Sequence, residues 1–235
     1  MLSVNQLSIT ANFGDGQLLK PLSFDLQRGE ILGVIGESGS GKSLLAHAML
    51  GHVPKGYRIK GHITASASVA LSAQSAAVFD PLRTISQHLS RWRRAFVHQD
   101  HYLEQLGIDQ NIASSYRHQL SGGMAKRACL AQAIVQNPHF LLADEPCAGL
   151  DDDAAHHTYQ RLRQKTDNDH LGMMIISHNL RQLMKWSDRI LVLKQGELIE
   201  LTTPNAIRDN QCHTYSRSLW EALPENWETL NAEFA

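Results

Sequence analysis

The stretch Gly36-Glu37-Ser38-Gly39-Ser40-Gly41-Lys42-Ser43 constrains this chain more than any other feature. A short apolar run, Ile31 to Ile35, precedes it, and Ser43 to Leu50, a segment suited to a helix, follows it. Buried strand, glycine-rich turn and helix in that order form the pattern of a phosphate-binding loop. Glycines allow backbone angles that a side chain forbids, so several N–H groups can converge on one anion. The N-terminus of the helix that follows adds a favourable dipole. Lys42 is placed to reach terminal phosphates as a point charge, and the Ser43 hydroxyl to coordinate Mg²⁺. Gly36, Glu37, Ser38, Gly39, Ser40 and Gly41 make the rest of the cradle. The loop implies a nucleotide site without assigning a function, because many activities share it.

A second apolar run, Phe140-Leu141-Leu142-Ala143, ends in Asp144-Glu145-Pro146. In an open parallel sheet the ligand site lies at the carboxyl ends of the strands. Asp144 is therefore expected in the Mg²⁺ shell, and Glu145 is expected to orient and polarise an attacking water. An Asp-Glu pair alone reads as a solvated strand end; beside a complete phosphate loop it reads as chemistry. Other strand candidates are residues 2–10, Leu18 to Leu26, Val69 to Ala73, Met173 to Ile176 and Ile190 to Leu193. Helices are expected over 121–136, Asp151 to Lys165 and Asn179 to Trp186. Between Asp80 and about Tyr116 the chain turns polar and rich in Arg, His and Gln, and reads as an inserted helical lobe. Alternating strands and helices predict an α/β fold with a largely parallel sheet covered on both faces.

Leu120-Ser121-Gly122-Gly123-Met124 opens the helix before the acidic strand. With it the chain resembles the ATPases of ABC (ATP-binding cassette) transporters, whose signature is Leu-Ser-Gly-Gly-Gln; Met124 stands where Gln is usual. The resemblance extends in the family's order over nearly the whole chain. Gln74 resembles the glutamine that links Mg²⁺ and water to the membrane-facing surface. Ala148-Gly149-Leu150-Asp151 resembles the loop that follows the acidic strand. Ser177-His178 resembles the switch histidine that contacts the γ-phosphate, and Phe13 is placed like the aromatic that stacks on adenine.

The resemblance implies an ABC cassette with a mostly parallel core sheet, an N-terminal antiparallel β lobe and a helical lobe over about 80–136. It makes residues 1–235 one ATPase domain with a tail from about 203. It implies ATP and Mg²⁺ as cofactors, with Ser43, Gln74 and Asp144 toward the metal and Glu145, His178 and Gln74 in catalysis. Ser121, Gly122 and Gly123 would contact the ATP of a second, head-to-tail ATPase subunit, by resemblance a paralogue. Permease subunits are the implied membrane partners, and a solute-binding protein acts indirectly. The expected location is peripheral, on the cytoplasmic face of the cell membrane.

Weaker wording resembles the peptide and nickel importer branch: the phosphate loop Gly36 to Ser43 itself, Gly51 to Gly56 with Ile59-Lys60-Gly61, Val78-Phe79-Asp80-Pro81-Leu82-Arg83-Thr84-Ile85, Tyr116-Arg117-His118-Gln119, and the tail His213-Thr214-Tyr215-Ser216-Arg217-Ser218-Leu219. Peptides, nickel or a metal chelate are the cargoes this implies. The segment from Gly61 to Gln74 is short for the family, so a trimmed antiparallel lobe is expected. The rival reading is a soluble or regulatory ABC ATPase with no permease.

Composition agrees. With 22 basic and 23 acidic residues the net charge is −1, which lacks the basic face of a nucleic-acid binder. Arg91-Trp92-Arg93-Arg94 is the one basic run, and reads equally as a membrane-side patch or a solvated face. Three scattered cysteines make no disulfide framework and suit a reducing compartment. No stretch approaches the ~18 uninterrupted apolar residues of a spanning helix.

Overall fold

The computed structural model describes residues 1–12, 16–53, 55–73, 75–91 and 107–223. They divide into two compact units. One holds Met1–Leu2, Leu26–Glu30 and Ala65–Ile176; the other holds the described residues of Ser3–Asp25, Ile31–Thr64 and Ser177–Ala235.

In the first unit, β5 (Val69–Ser72), β6 (Phe140–Asp144) and β7 (Gly172–Ile176) pair in parallel, with Leu71 opposite Leu142 and Leu142 opposite Met174. Strands β6 and β7 are buried along their whole length, which is why they read as unbroken apolar runs rather than alternating ones. Gly172 sits where a side chain would lie 2.5 Å from both the Gln27 carbonyl oxygen and the Phe140 ring.

Helices α2 (Ile85–Leu89) and α3 (Gln110–Ser114) belong to the expected helical lobe. Both are short and begin on side-chain caps: Thr84 and Gln87 form a capping box, and Asp109 accepts from the Ile112 N–H. Residues 92–106, which include most of the Arg-Trp-Arg-Arg run, lie outside the described residues. Helix α4 (Gly122–Ile134) packs on β5 and β6, and Ala128, Leu130, Ala131 and Ile134 are among its buried residues. Helix α5 (Asp152–Asp169) starts on an Asp151 cap and runs four residues past the expected Lys165. It ends at His170, in the left-handed region at φ 52°.

The second unit holds all but one terminal residue of each of β1 (Leu2–Ala11), β2 (Gln17–Leu26) and β4 (Tyr57–Ala65), which form the antiparallel N-terminal sheet with β1 in the middle. Strand β4 was not expected from the sequence. Its residues are almost all exposed, so no apolar alternation marks it. Gly61 lies where a Cβ would be 2.3 Å from the Gln6 carbonyl oxygen, a close strand approach that only glycine allows.

Strand β3 (Ile31–Gly36) pairs in parallel with β8 (Arg189–Lys194), and β8 pairs antiparallel with β9 (Glu197–Thr202). Strand β9, and with it the β8–β9 hairpin, was not among the expected elements. Its two-residue turn, Gln195-Gly196, has φ of 48° and 76°, the doubly positive geometry that tight hairpins favour. At its base Asp188 accepts the Ile31 N–H through Oδ2 at 2.7 Å, and its own N–H donates to the Ile31 carbonyl at 2.8 Å. Helix α1 (Lys42–Met49) follows β3, and α6 (Leu180–Trp186) packs on β3 at Gly33, where a Cβ would meet Ser187 Oγ at 2.6 Å. Two short helices, α7 (Pro204–Arg208) and α8 (Thr214–Glu221), close the described chain.

Candidate functional site

The phosphate loop leaves the end of β3 as the sequence predicts, and each glycine has its own reason. Gly36 is required by crowding: a Cβ there would lie 2.1 Å from the Leu193 carbonyl oxygen and 2.7 Å from Ser40 Oγ. Gly39 is required by backbone angle, at φ 80° with open space around it. Gly41 is required by both, at φ 97° with Leu19 Cδ2 2.5 Å from an added Cβ. Gly41 also caps α1 with no side chain, so the helix N-terminus keeps its N–H groups for a ligand. Lys42 lies back along its own loop and donates to the carbonyls of Gly36 at 2.7 Å and Glu37 at 2.9 Å. The ammonium is thus held over the cradle.

The loop is braced from outside. The Gly196 N–H, in the β8–β9 turn, donates to the Ser40 carbonyl at 3.2 Å, and the Gly196 carbonyl accepts from the Lys20 N–H at 2.7 Å. Tyr215, on α8, donates its hydroxyl to Glu37 Oε1 at 3.0 Å. Burial and that carboxylate push the phenol up to about 12. The sequence marked the tail wording around Tyr215 but gave no reason to set it beside the phosphate loop.

In the first unit β6 delivers the two carboxylates. Asp144 is 4% exposed and its Oδ1 has no hydrogen-bond partner among the described residues. Leaving a buried carboxylate oxygen unsatisfied costs stability, and a cation with its water shell is the chemistry that removes the cost. Asp144 therefore fits a Mg²⁺ shell. Glu145 follows at φ 53°, a left-handed backbone that only glycine adopts freely, and its N–H donates to the Ile176 carbonyl at 2.9 Å. The next strand-end pair, Ser177-His178, splits by burial. Ser177 is buried, with its N–H on the Val34 carbonyl at 3.1 Å, and His178 is exposed.

Ser121 and Gly122 stand exposed at the start of α4. The Ser121 hydroxyl accepts from the Met124 N–H at 3.3 Å, so Met124 takes part through its backbone. Gly123 has Leu150 3.0 Å from where a Cβ would stand, and Gly122 meets nothing. Just upstream, Arg117 donates to the carbonyls of Ala77 and Phe79 at 3.2 and 3.0 Å. That bond ties the segment after position 74 to the approach of the signature, a link no local pattern reveals. Gln74 and Phe13 lie outside the described residues.

A glycine-rich loop between a buried strand and a helix is the pattern of a P-loop nucleotide-binding protein. The family model described as ABC transporter matches residues 19–148, more than half of the chain, and the chain belongs to that family. It is an ATPase that uses ATP with Mg²⁺. Among curated relatives, the metal-staphylopine import system ATP-binding protein CntD of Staphylococcus aureus (strain NCTC 8325 / PS 47) is 29% identical, over 93% of this chain and 92% of its own length. The glutathione import ATP-binding protein GsiA of Escherichia coli (strain K12) is 31% identical over 96% of this chain, which spans 42% of GsiA. Among solved structures, the dimeric bacterial ABC transporter cassette MJ0796 shares the fold, with a TM-score of 0.77 at 20% identity, over 87% of this chain and 99% of that one.

Proposed function

We propose that this chain is the ATP-hydrolysing subunit of an importer whose cargo is a peptide, nickel or a metal chelate. The observation that carries the reading is the match along nearly the full length of both chains to a relative named for import of a metal-staphylopine complex. The similarity to a glutathione import protein adds a peptide to the same cargo range. No helix among the described residues is long and apolar enough to cross a membrane, so a permease is the natural membrane partner.

In this reading residues 1–235 act as one ATPase domain. Phosphate oxygens replace the Gly36 and Glu37 carbonyls as partners of Lys42, and the N–H groups of the loop hold the chain of phosphates. Ser43 and Asp144, with Gln74, would hold Mg²⁺, which neutralises phosphate charge when bound. Phe13 stacks on adenine. Glu145 orients the attacking water, and His178 contacts the γ-phosphate. Ser121, Gly122 and Gly123 meet the ATP of a second ATPase subunit in a head-to-tail pair. ATP binding favours the closed pair and hydrolysis the open one, and that difference in affinity drives the permease. The subunit works peripherally at the cytoplasmic face of the membrane.

The test is a membrane solubilised in mild detergent and carrying tagged chain. Co-purification of a multispanning permease with ATP turnover, and loss of that turnover by about 10²-fold or more in E145Q, is the expected result. Absence of any membrane partner would favour a soluble ABC ATPase. Unchanged hydrolysis in E145Q would remove Glu145 from its role.

A further inference from the structure

The phosphate loop is held at Glu37 from two sides. Lys42 donates to the Glu37 backbone carbonyl at 2.9 Å, while the Glu37 carboxylate receives the Tyr215 hydroxyl at 3.0 Å. Lysine and glutamate are therefore already in contact through the backbone. A carboxylate released from Tyr215 would be drawn toward the same ammonium, and the ion pair would occupy the cation that phosphate needs.

Tyr215 is itself fixed. Lys194 lies over its ring, 4.2 Å from the centroid. Lys194 ends β8, next to the Gln195-Gly196 turn whose N–H holds the Ser40 carbonyl. Glu200 on β9 accepts from the His213 N–H at 3.0 Å and from Ser216 Oγ at 2.6 Å, which anchors the start of α8. His213 Nδ1 accepts from the Tyr215 N–H at 3.1 Å and caps the helix. Strand β9, the cap and the phenol form a strut that ends on the phosphate loop.

We propose that Tyr215 is a positioning residue for ATP binding: its hydroxyl restrains the Glu37 carboxylate away from Lys42, so that helix α8 sets the affinity of the phosphate loop. This rests on the reading of Gly36–Ser43 as the phosphate cradle. A tail displaced by any partner would then weaken ATP binding without touching the nucleotide.

The experiment uses the full chain and titrates ATP with Mg²⁺ against wild type, Y215F, E37Q, the Y215F/E37Q pair and K42A, with kcat and KM measured alongside. Y215F is expected to weaken ATP affinity and raise KM by about three- to tenfold, the range for one hydrogen bond, with kcat within about twofold. In the E37Q background, where no charge remains to collapse onto Lys42, Y215F is expected to change affinity by less than about 1.5-fold. Unchanged affinity in Y215F overturns the proposal. An equal loss with and without E37Q also overturns it, because the phenol would then act only through packing. K42A separates the two levels. If K42A keeps full ATP affinity, the cradle reading itself fails; if K42A loses binding and Y215F does not, only the role of the tail fails.

Discussion

Gly39 and Gly41 share one backbone problem and differ in one steric fact, which makes them a measurable pair. Both lie at positive φ, 80° and 97°. An L side chain in the left-handed region costs about 1–2 kcal/mol. At Gly39 an added methyl meets nothing within 4 Å, so that cost stands alone. At Gly41 the methyl would lie 2.5 Å from Leu19 Cδ2 and 3.3 Å from the Leu18 carbonyl oxygen. Leu19 is fully buried on β2, so its escape routes are limited. Overpacking of this kind adds about 1–3 kcal/mol. G39A is therefore expected to destabilise by about 1–2 kcal/mol and G41A by about 2–5 kcal/mol. Urea unfolding without nucleotide, extrapolated linearly to water, measures both. Adding L19A is expected to recover part of the G41A loss and none of the G39A loss, because only the first pair touches. Equal losses in G39A and G41A, or no coupling of G41A to L19A, would refute the reasoning.

Three further outcomes are expected. S121A removes the hydroxyl that accepts the Met124 N–H and is expected to cost about 1 kcal/mol in urea unfolding, with S121T keeping most of it; an unchanged S121A midpoint would deny the cap. At position 145 the usual order of Ala over Gly is expected to reverse. With the backbone at φ 53°, E145G should be more stable than E145A by about 1 kcal/mol, though neither should hydrolyse ATP. Burial pushes the Cys147 thiol from 9.0 up to about 12. The unfolded chain then loses this proton first as pH rises, so stability is intact below pH 9 and falls through the window from 9 to 12. C147A is expected to flatten that part of the pH–stability curve, and identical curves would count against the buried thiol.

The parts of the fold that were legible are those whose burial is complete. Ile31–Ile35, Phe140–Ala143 and Met173–Ile176 are uniformly apolar because both faces of each strand are covered. Strand β4 was not legible, because Tyr57 and Ile59 are more than a third exposed and no apolar face repeats. Strand β9 had a usable signal in Gln195-Gly196, a two-residue turn after an apolar run, but its own residues are only half buried. The candidate site divides in the same way. Phosphate loop, acidic strand and signature depend on contiguous residues, so their order in the chain carries them. The Tyr215–Glu37 and Arg117–Phe79 bonds join residues far apart in sequence, and nothing in either local pattern points to its partner.

The local roles of the motif residues explain why their chemistry is tied to particular side chains. Ser121 spends its hydroxyl as an acceptor on the N-terminus of α4, and Asp151 does the same for α5 with its carboxylate on the Ala154 N–H at 2.8 Å. Each cap fixes the first turn of its helix, and so fixes where the remaining N–H groups point. Gly41 works in the opposite way. It caps α1 with no side chain, so nothing of its own competes for the N–H groups the loop needs. The difference follows from what each helix start must offer. In the proposed function phosphate completes the N-terminus of α1, and a capping hydroxyl at position 41 would compete with it. At α4 and α5 the chain's own side chains cap the helix, each cap worth about 1 kcal/mol. Glu145 is the counter-case: glycine would suit its backbone better, so the carboxylate is kept against a conformational cost.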